Sequence, residues 1–315
     1  MPETTPIVLI GDPIDAEALA RLSDGRCRVV DGTAGAAALE PHLSTAWGLV
    51  VRSRTKVNAA LLARMPALKI IARAGVGVDN IDMAAATAAG VRVVNAPTAA
   101  SVSVAELTVA LYLLLVRELV GPITDTRAGG WKRGTHGHEL SGRTVGFLGY
   151  GRIAREVAAR ARAFGMTPLA YDPFLQSTPD DTPLLPLDEL LARSDIVSVH
   201  AALTPENRHL LDAARLGRMK KGAWLVNVAR GALVDETALL AALNEGRLGG
   251  AALDVFEVEP PTRTELLQHP RVLPTPHLGA STHEAQARAG TQVVEELLRA
   301  LDHAPLLYQV NPEVK

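Results

Sequence analysis

The sequence predicts an α/β protein with two doubly wound parallel sheets. Short apolar runs alternate with Ala- and Leu-rich stretches over almost all of the 315 residues. Most of these runs are continuously apolar, which is typical of parallel strands that helices cover on both faces. The runs form two series, and the first series ends near residue 95. The chain is long enough for two domains of ordinary size.

The first series contains four predicted strands separated by helical stretches. The stretches "DAEALARL", "NAALLARM" and "DMAAATAAG" have helical spacing, and Gly90 ends the last of them. The predicted strands are 7–10, 47–51, 69–73 and 91–95.

The second series is clearer, and two long helices flank it. One predicted helix spans 101–119, where Ser101 or Ser103 can cap its start, and the other spans 281–301. The predicted strands are 144–149, 167–172, 195–200, 223–228 and 250–256.

The domain boundaries follow from the end of the chain. The segment after the second long helix is too short for a domain, so we expect it to pack back onto the first series. The first predicted domain is therefore discontinuous. We predict a first domain of residues 1–97 with 284–315 and a second domain of residues 98–283.

Composition and charge exclude several classes of function. Lysine and arginine number 32 against 34 aspartates and glutamates, and this balance lacks the basic surplus of nucleic-acid-binding proteins. The single cysteine, Cys27, rules out an internal disulfide framework. The most apolar stretch, 107–116, is about half as long as a membrane-spanning helix. Since the first residues lack a signal-peptide pattern, we expect a cytoplasmic protein without nucleic-acid or membrane partners.

The segment "TVGFLGYGRIA" predicts a dinucleotide site, because a strand, a glycine turn and a helix follow one another. Gly149 makes the tight turn, Gly151 lets a pyrophosphate approach the helix N-terminus, and Ala154 permits close packing. A glycine pattern alone is weak evidence. Asp172 ends the next strand, where a carboxylate accepts hydrogen bonds from ribose hydroxyls and repels a 2′-phosphate. We therefore predict NAD as the cofactor; the alternative for Asp172 is a simple turn residue.

An arginine, two acids and a histidine follow strands of the second series. Arg230, Asp254, Glu259 and His277 stand where ligands of open parallel sheets gather, at the carboxyl ends of strands. An arginine can hold a carboxylate, and a histidine oriented by an acid can transfer a proton. Each residue alone has a simpler explanation as a surface charge or a packed loop residue. Beside a dinucleotide loop, they predict Arg230, Glu259 and His277 as catalytic residues.

We predict no metal site in this sequence. His277 has no cysteine or histidine at ligand spacing apart from His283. His136 and His138 form an isolated pair that we expect in a surface loop.

At these motifs the chain resembles the D-isomer-specific 2-hydroxyacid dehydrogenases, and within that family it is most similar to the 3-phosphoglycerate dehydrogenases. The likeness covers nearly the whole length. The matching segments are 51–57, 73–82, 94–98, 103–108, 129–154, 220–236, 250–260 and 275–282.

The resemblance implies two Rossmann- or flavodoxin-like domains, the first binding substrate and the second binding NAD. It implies that His277 exchanges the proton of the substrate hydroxyl, that Glu259 pairs with His277, and that Arg230 binds the carboxylate end. The residues implied to contact NAD are Val76, Gly149, Gly151, Arg152, Ile153, Asp172, Ala201, Val228, Ala229, Arg230, Asp254, His277, Gly279 and Ala280.

The resemblance also implies a set of substrate-binding residues and an assembly. Arg133 would reach the substrate phosphate of a neighbouring subunit, which implies a homodimer or a homotetramer. Arg54 departs from the family, which has a small residue there. The residues implied to bind substrate are Arg52, Arg73, Gly75, Val76, Gly77 and Arg133.

The expected activity is NAD-dependent oxidation of D-3-phosphoglycerate in serine synthesis. Two alternatives stay open: a glyoxylate or hydroxypyruvate reductase or another D-2-hydroxyacid dehydrogenase, and a non-catalytic NAD-sensing protein similar to a corepressor. Ala100 and Ala202 depart from the family and leave the choice of hydroxyacid open. The sequence ends soon after the second long helix, so we expect no regulatory domain and no feedback by serine.

Overall fold

The computed structural model describes residues 5–23, 25–134 and 136–315. By its internal contacts the chain divides into two compact units, Met1–Ala100 with Ala280–Lys315 and Ser101–Gly279. The prediction of two parallel-sheet α/β domains is confirmed. The exact boundaries that we predicted from the sequence, which include residues 1–4 outside the described part, stay a prediction.

The first unit is a five-stranded parallel sheet in the order β2-β1-β3-β4-β5. Its strands are β1 (Ile7–Ile10), β2 (Arg28–Asp31), β3 (Ala46–Val51), β4 (Ile70–Arg73) and β5 (Arg92–Asn95), and its helices are α1 (Ala16–Leu22), α2 (Ala59–Ala63), α3 (Met83–Ala88) and α11 (His283–Leu301).

Alternate residues of each strand in this sheet pack on opposite faces. Val8 and Ile10 of β1 pack in a cluster with Val293 of α11, whereas Leu9 packs in a second cluster with Leu62 of α2. All of these side chains are buried. Two apolar cores, one on each face, explain why the strands are apolar without alternation.

The C-terminal segment packs onto β5, as we expected. Gln309 pairs with Val94 in an antiparallel bridge. The buried Asn311 accepts a hydrogen bond from the Val93 amide at 2.8 Å and donates one to the Val91 carbonyl at 2.9 Å. The segment therefore occupies the edge of the sheet.

The second unit is a six-stranded parallel sheet in the order β11-β10-β9-β8-β6-β7. Its strands are β6 (Thr144–Leu148), β7 (Thr167–Tyr171), β8 (Ile196–Val199), β9 (Trp224–Asn227), β10 (Gly250–Leu253) and β11 (Val272–Pro274). Its helices are α4 (Ser101–Val116), α5 (Val120–Arg127), α6 (Arg152–Ala163), α7 (Leu187–Arg193), α8 (Ala213–Arg218), α9 (Glu236–Asn244) and α10 (Thr264–Gln268).

Three elements differ from the sequence predictions. One is the three-residue strand β11, which was not among the predicted strands. The short strand β2 was not predicted, because only two of its four residues are apolar and it lies at the sheet edge, where its residues are half-buried or exposed. The helix predicted over 101–119 ends three residues earlier, since α4 ends at Val116 and Glu118 adopts a positive φ of 51°. The left-handed conformation at Glu118 separates α4 from α5.

Candidate active site

Three neighbouring strands, β9, β10 and β11, end beside one another and carry the predicted catalytic residues on their following loops. Asn227, the last residue of β9, stabilises the turn that leads to Arg230. Its amide group donates to the Arg230 carbonyl at 2.9 Å and accepts from the Ala229 amide at 3.1 Å. The Arg230 side chain donates to the Ala229 carbonyl at 2.7 Å. Local hydrogen bonds thus hold Arg230 at the end of its strand.

Asp254 follows β10 and holds the loop that carries His277. This buried carboxylate accepts hydrogen bonds from the Thr275 hydroxyl at 2.6 Å and from the amides of Leu278 at 2.8 Å and Gly279 at 2.9 Å. His277 itself adopts a left-handed backbone conformation with a φ of 54°. A carboxylate that binds both sides of this residue stabilises a conformation that the chain would otherwise avoid.

His277 and Glu259 form a hydrogen-bonded pair, with Nδ1 of His277 2.8 Å from Oε2 of Glu259. An ionised carboxylate can only accept a hydrogen bond, so Nδ1 carries the proton and is the hydrogen-bond donor. The lone pair of the second ring nitrogen, Nε2, then points away from Glu259 and is able to accept a proton. Since both side chains are partly exposed, solvent-borne groups can reach the pair.

The glycine loop lies at the carboxyl end of β6, which pairs with β8 on one side and with the edge strand β7 on the other. Gly149 has a φ of 83°, and a Cβ at this position would lie 2.7 Å from the backbone of Ala201. Gly151 is the N-cap of α6, and a Cβ there would meet no atom within 4 Å. Ala154 is fully buried against the sheet. The loop thus leaves open space before the first turn of α6, which fits the pyrophosphate of NAD.

Asp172 follows β7 and contacts this loop directly. Its Oδ2 accepts from the Tyr150 amide at 2.9 Å, and its Oδ1 accepts from the Phe174 amide at 3.0 Å. The carboxylate is only half-buried, so its remaining lone pairs can accept from ribose hydroxyls. Contact of Asp172 with NAD stays a prediction.

A polar network behind the glycine loop was missed by the sequence analysis. The Tyr150 hydroxyl lies 2.8 Å from Asp180 and 2.6 Å from the hydroxyl of Thr182, and Arg162 donates to Asp180 at 2.9 Å. Burial raises the pKa of Tyr150 to about 12, so its hydroxyl stays protonated. The network anchors the middle of the loop. Its members lie up to 32 residues apart in sequence, and no local pattern connects them.

The other residues predicted to contact NAD lie in both units. In the second unit they follow the carboxyl ends of strands or lie in the first turn of α6; they are Arg152, Ile153, Ala201, Val228, Ala229 and Gly279. Val76 and Ala280 belong to the first unit. Their contacts with the cofactor stay predictions.

The residues predicted to bind substrate lie mainly in the first unit. Arg52 follows β3, and its amide donates to the buried Asp12 at 2.7 Å. Arg73 ends β4, and its guanidinium lies against Gly75. In the next residues, the Val76 carbonyl accepts from Asn95 at 2.6 Å, and Gly77 is half-buried. Arg133 lies exposed after α5 in the second unit.

Comparison with known proteins identifies the family. The sequence pattern of the NAD binding domain of the D-isomer specific 2-hydroxyacid dehydrogenases matches residues 109–279. The chain belongs to this family. Its NAD-binding unit is therefore the unit that carries the glycine loop and the pair of His277 and Glu259.

Several curated members of the family are similar in sequence. The chain is 46% identical over 276 residues to D-3-phosphoglycerate dehydrogenase of Bacillus subtilis, which covers 86% of this chain and 53% of that protein. It is 47% identical to the Mycobacterium tuberculosis enzyme of the same name, over 94% of this chain and 57% of that protein. The chain thus spans somewhat more than half the length of the curated relatives that it matches.

Solved structures of similar proteins cover all or nearly all of the chain. The TT0316 protein from Thermus thermophilus is 38% identical, covers 96% of this chain and 99% of its own, and has a TM-score of 0.88. A glyoxylate reductase from Paecilomyes thermophila is 34% identical, covers both chains completely, and has a TM-score of 0.87.

Within the described residues, none of the helices has the length and apolar character needed to cross a membrane. In the same part of the chain, no three His, Cys, Asp or Glu side chains form a group that could hold a metal ion.

We predict that the two glycines of the loop respond differently to alanine. Gly149→Ala forces a Cβ against the Ala201 backbone at a positive φ, so the free energy of unfolding falls by at least about 2 kcal/mol. Gly151→Ala meets open space, so stability stays within about 0.5 kcal/mol while NADH binds about tenfold more weakly. Denaturant unfolding and NADH fluorescence titration measure both effects. Unchanged NADH affinity in Gly151→Ala would contradict a pyrophosphate at this position.

We also predict an acid sensitivity that originates at His200, which follows β8. Its Nε2 lies 2.8 Å from the Ser198 hydroxyl, and burial lowers the pKa of His200 from 6.5 to about 3. Between pH 6.5 and 3, the unfolded chain therefore binds a proton at this position that the folded protein does not. The free energy of unfolding decreases as the pH is lowered through this window. Between pH 7 and pH 5 the loss is on the order of 2 kcal/mol. The free energy of unfolding of His200→Asn should decrease less than that of the wild type between pH 7 and pH 5. An equal decrease in both proteins would contradict His200 as the origin.

Proposed function

We propose that the chain is the catalytic part of an NAD-dependent dehydrogenase that oxidises D-3-phosphoglycerate to 3-phosphohydroxypyruvate. The observation that carries the proposal is the pair of His277 and Glu259 at 2.8 Å, next to the strand end that holds Arg230 and in the same unit as the glycine loop. A proton carrier, a carboxylate-binding arginine and a dinucleotide site together suit oxidation of a 2-hydroxyacid.

The chain's own residues have distinct tasks in this reaction. Nε2 of His277 accepts the proton of the substrate hydroxyl as the hydride leaves the carbon that bears this hydroxyl. Glu259 accepts the Nδ1 hydrogen bond, which orients the imidazole and stabilises its charged form. Arg230 binds the substrate carboxylate and polarises the forming carbonyl. NAD, held at the glycine loop, supplies the hydride acceptor.

The phosphorylated substrate is supported by the relatives and by basic residues. The relatives named D-3-phosphoglycerate dehydrogenase are 41–47% identical to this chain. Arg52 and Arg73 of the first unit and Arg133, donated by the partner subunit of a homodimer, would bind the phosphate. In this proposal the enzyme is cytoplasmic and serves serine synthesis.

A second candidate is reduction of an unphosphorylated 2-oxoacid. It is supported by the glyoxylate reductase at 34% identity and by the NADPH-dependent glyoxylate/hydroxypyruvate reductase of Sinorhizobium meliloti, which is 30% identical with a TM-score of 0.87. The same proton carrier and arginine would serve this reaction, so phosphate recognition separates the two candidates.

We predict that the purified protein oxidises NADH faster with 3-phosphohydroxypyruvate than with hydroxypyruvate or glyoxylate. Arg133→Gln should lower kcat/KM for the phosphorylated acid by about 10- to 100-fold and leave the other two nearly unchanged, because a charged hydrogen bond to phosphate is lost. Arg127→Gln, on the exposed side of α5, is the matched control. Equal losses for all three acids would contradict the proposed role of Arg133.

We predict that His277→Gln lowers kcat by about 10²- to 10⁴-fold while NADH binding survives, since the substitution removes the proton carrier and leaves the glycine loop intact. Steady-state kinetics and NADH titration measure the two effects. Turnover near that of the wild type would contradict the assignment. A wild-type protein that binds NADH but reduces no 2-oxoacid would instead support a sensing role.

A further inference from the structure

The loops that carry Arg230 and Glu259 meet at the two-residue segment Phe256–Glu257. The Phe256 amide donates to Oε1 of Glu259 at 3.2 Å, so this segment holds the partner of His277. A Cβ on Gly231 would overlap the peptide between Phe256 and Glu257, so the residue next to Arg230 packs directly on this segment. Any shift of this peptide therefore moves both Arg230 and Glu259.

Two carboxylates fix the peptide by exchanging hydrogen bonds across the two loops. Oε1 of Glu236 accepts from the Glu257 amide at 2.7 Å, and Oε1 of Glu257 accepts from the Glu236 amide at 3.1 Å. The Glu236 side chain is 7% exposed and that of Glu257 is 16% exposed. Because each carboxylate binds the other residue's backbone, the two loops are linked in both directions.

Basic side chains contact both carboxylates. Oε2 of Glu257 lies 3.0 Å from Nε2 of His209 and 3.1 Å from the Arg208 guanidinium. Oε2 of Glu236 lies 3.5 Å from Nε of Arg263. Burial acts to raise the pKa of Glu257, but the hydrogen bonds from His209 and the Glu236 amide outweigh it and lower the pKa. The Glu257 carboxylate is thus held in its charged form.

The segment that carries Arg208 and His209 is itself hydrogen-bonded to the loop after Arg230. The His209 amide donates to the Ala232 carbonyl at 2.8 Å, and the Leu211 amide donates to the Leu233 carbonyl at 2.9 Å. The segment that supplies Arg208 and His209 therefore runs along the loop after Arg230 and completes a closed set of contacts around the Phe256–Glu257 peptide.

We propose that Glu236 and Glu257 are positioning residues that set the spacing of Arg230 from the pair of Glu259 and His277. They do not touch the reacting atoms; they act through the shared peptide. The inference rests on the proposed dehydrogenase function, because that function makes Arg230 the residue that binds the substrate carboxylate and His277 the proton carrier. A small error in such spacing lowers the rate of the chemical step more than it lowers binding.

The test compares Glu236→Ala, Glu257→Ala, the double variant and Glu257→Gln with the wild type. Glu245→Ala is the matched control, because Glu245 is an exposed acid at the C-terminal end of α9. With the 2-oxoacid that the wild type reduces fastest, each single alanine variant should lower kcat at least tenfold. KM and the NADH dissociation constant should stay within about threefold. Glu257→Gln, whose amide oxygen can still accept the Glu236 hydrogen bond, should recover most of the rate.

The double variant and amide hydrogen exchange decide between positioning and general destabilisation. If the two carboxylates form one link, the double variant loses no more kcat than the single variant with the larger loss. In Glu236→Ala the amide of Glu257 loses its acceptor and should exchange at least tenfold faster, while the amides of β6 keep their protection. Multiplied losses in the double variant, equal losses in kcat and NADH binding, or failure of Glu257→Gln to recover would each overturn the proposal.

The outcome also separates this inference from the proposed function. A wild type that reduces none of the 2-oxoacids refutes the dehydrogenase reaction, and it removes the role in catalysis that we assign to both carboxylates. A wild type that turns over normally, with alanine variants that keep full kcat and unchanged exchange at Glu257, refutes the positioning role alone.

Discussion

The level ends of three parallel strands are the constraint on which the candidate site depends. In the sheet register, Asn227 of β9 is paired with Leu253 of β10, and Leu253 is paired with Pro274 of β11. Each strand therefore stops at the same height, and the loops that leave it begin side by side. Parallel pairing thus assembles Arg230, Glu259 and His277 from segments that are far apart in sequence.

Carboxylates stabilise these loops where the sheet no longer can. Beyond the last strand residue, backbone amides lose their neighbours in the sheet and need other acceptors. Asp254 supplies them to the His277 loop, Asp172 to the glycine loop, and Glu236 and Glu257 to each other's segments. A carboxylate can accept several hydrogen bonds at once, so one side chain can fix a whole turn. The acidic residues at the carboxyl ends of these strands thus stabilise the loops, in addition to the role of Glu259 in the reaction.

The sequence could predict what depends on local patterns. Continuous apolar runs identified four of the five strands of the first sheet, and the glycine spacing located the turn before α6. Strand ends also predicted that Glu259 and His277 lie at one edge of the sheet, and the family resemblance implied that they pair; Nδ1 of His277 lies 2.8 Å from Oε2 of Glu259. The strand β2 lacked the apolar signal because it lies at an edge. The contacts of Tyr150 with Asp180 and of Glu236 with Glu257 join distant segments of ordinary surface-type residues, so they became visible only in the folded chain.

The central claim is that Glu259 orients His277 as a proton carrier, and the imidazole tautomer tests it most directly. Nitrogen NMR of histidine-labelled protein with NADH bound, with the His277 signals assigned by their loss in His277→Gln, identifies which ring nitrogen is protonated. In the neutral form of the ring, we expect the proton on Nδ1 and an unprotonated Nε2, and a loss of this preference in Glu259→Ala. A ring with its proton on Nε2, or a tautomer that is unchanged in Glu259→Ala, would contradict the claim.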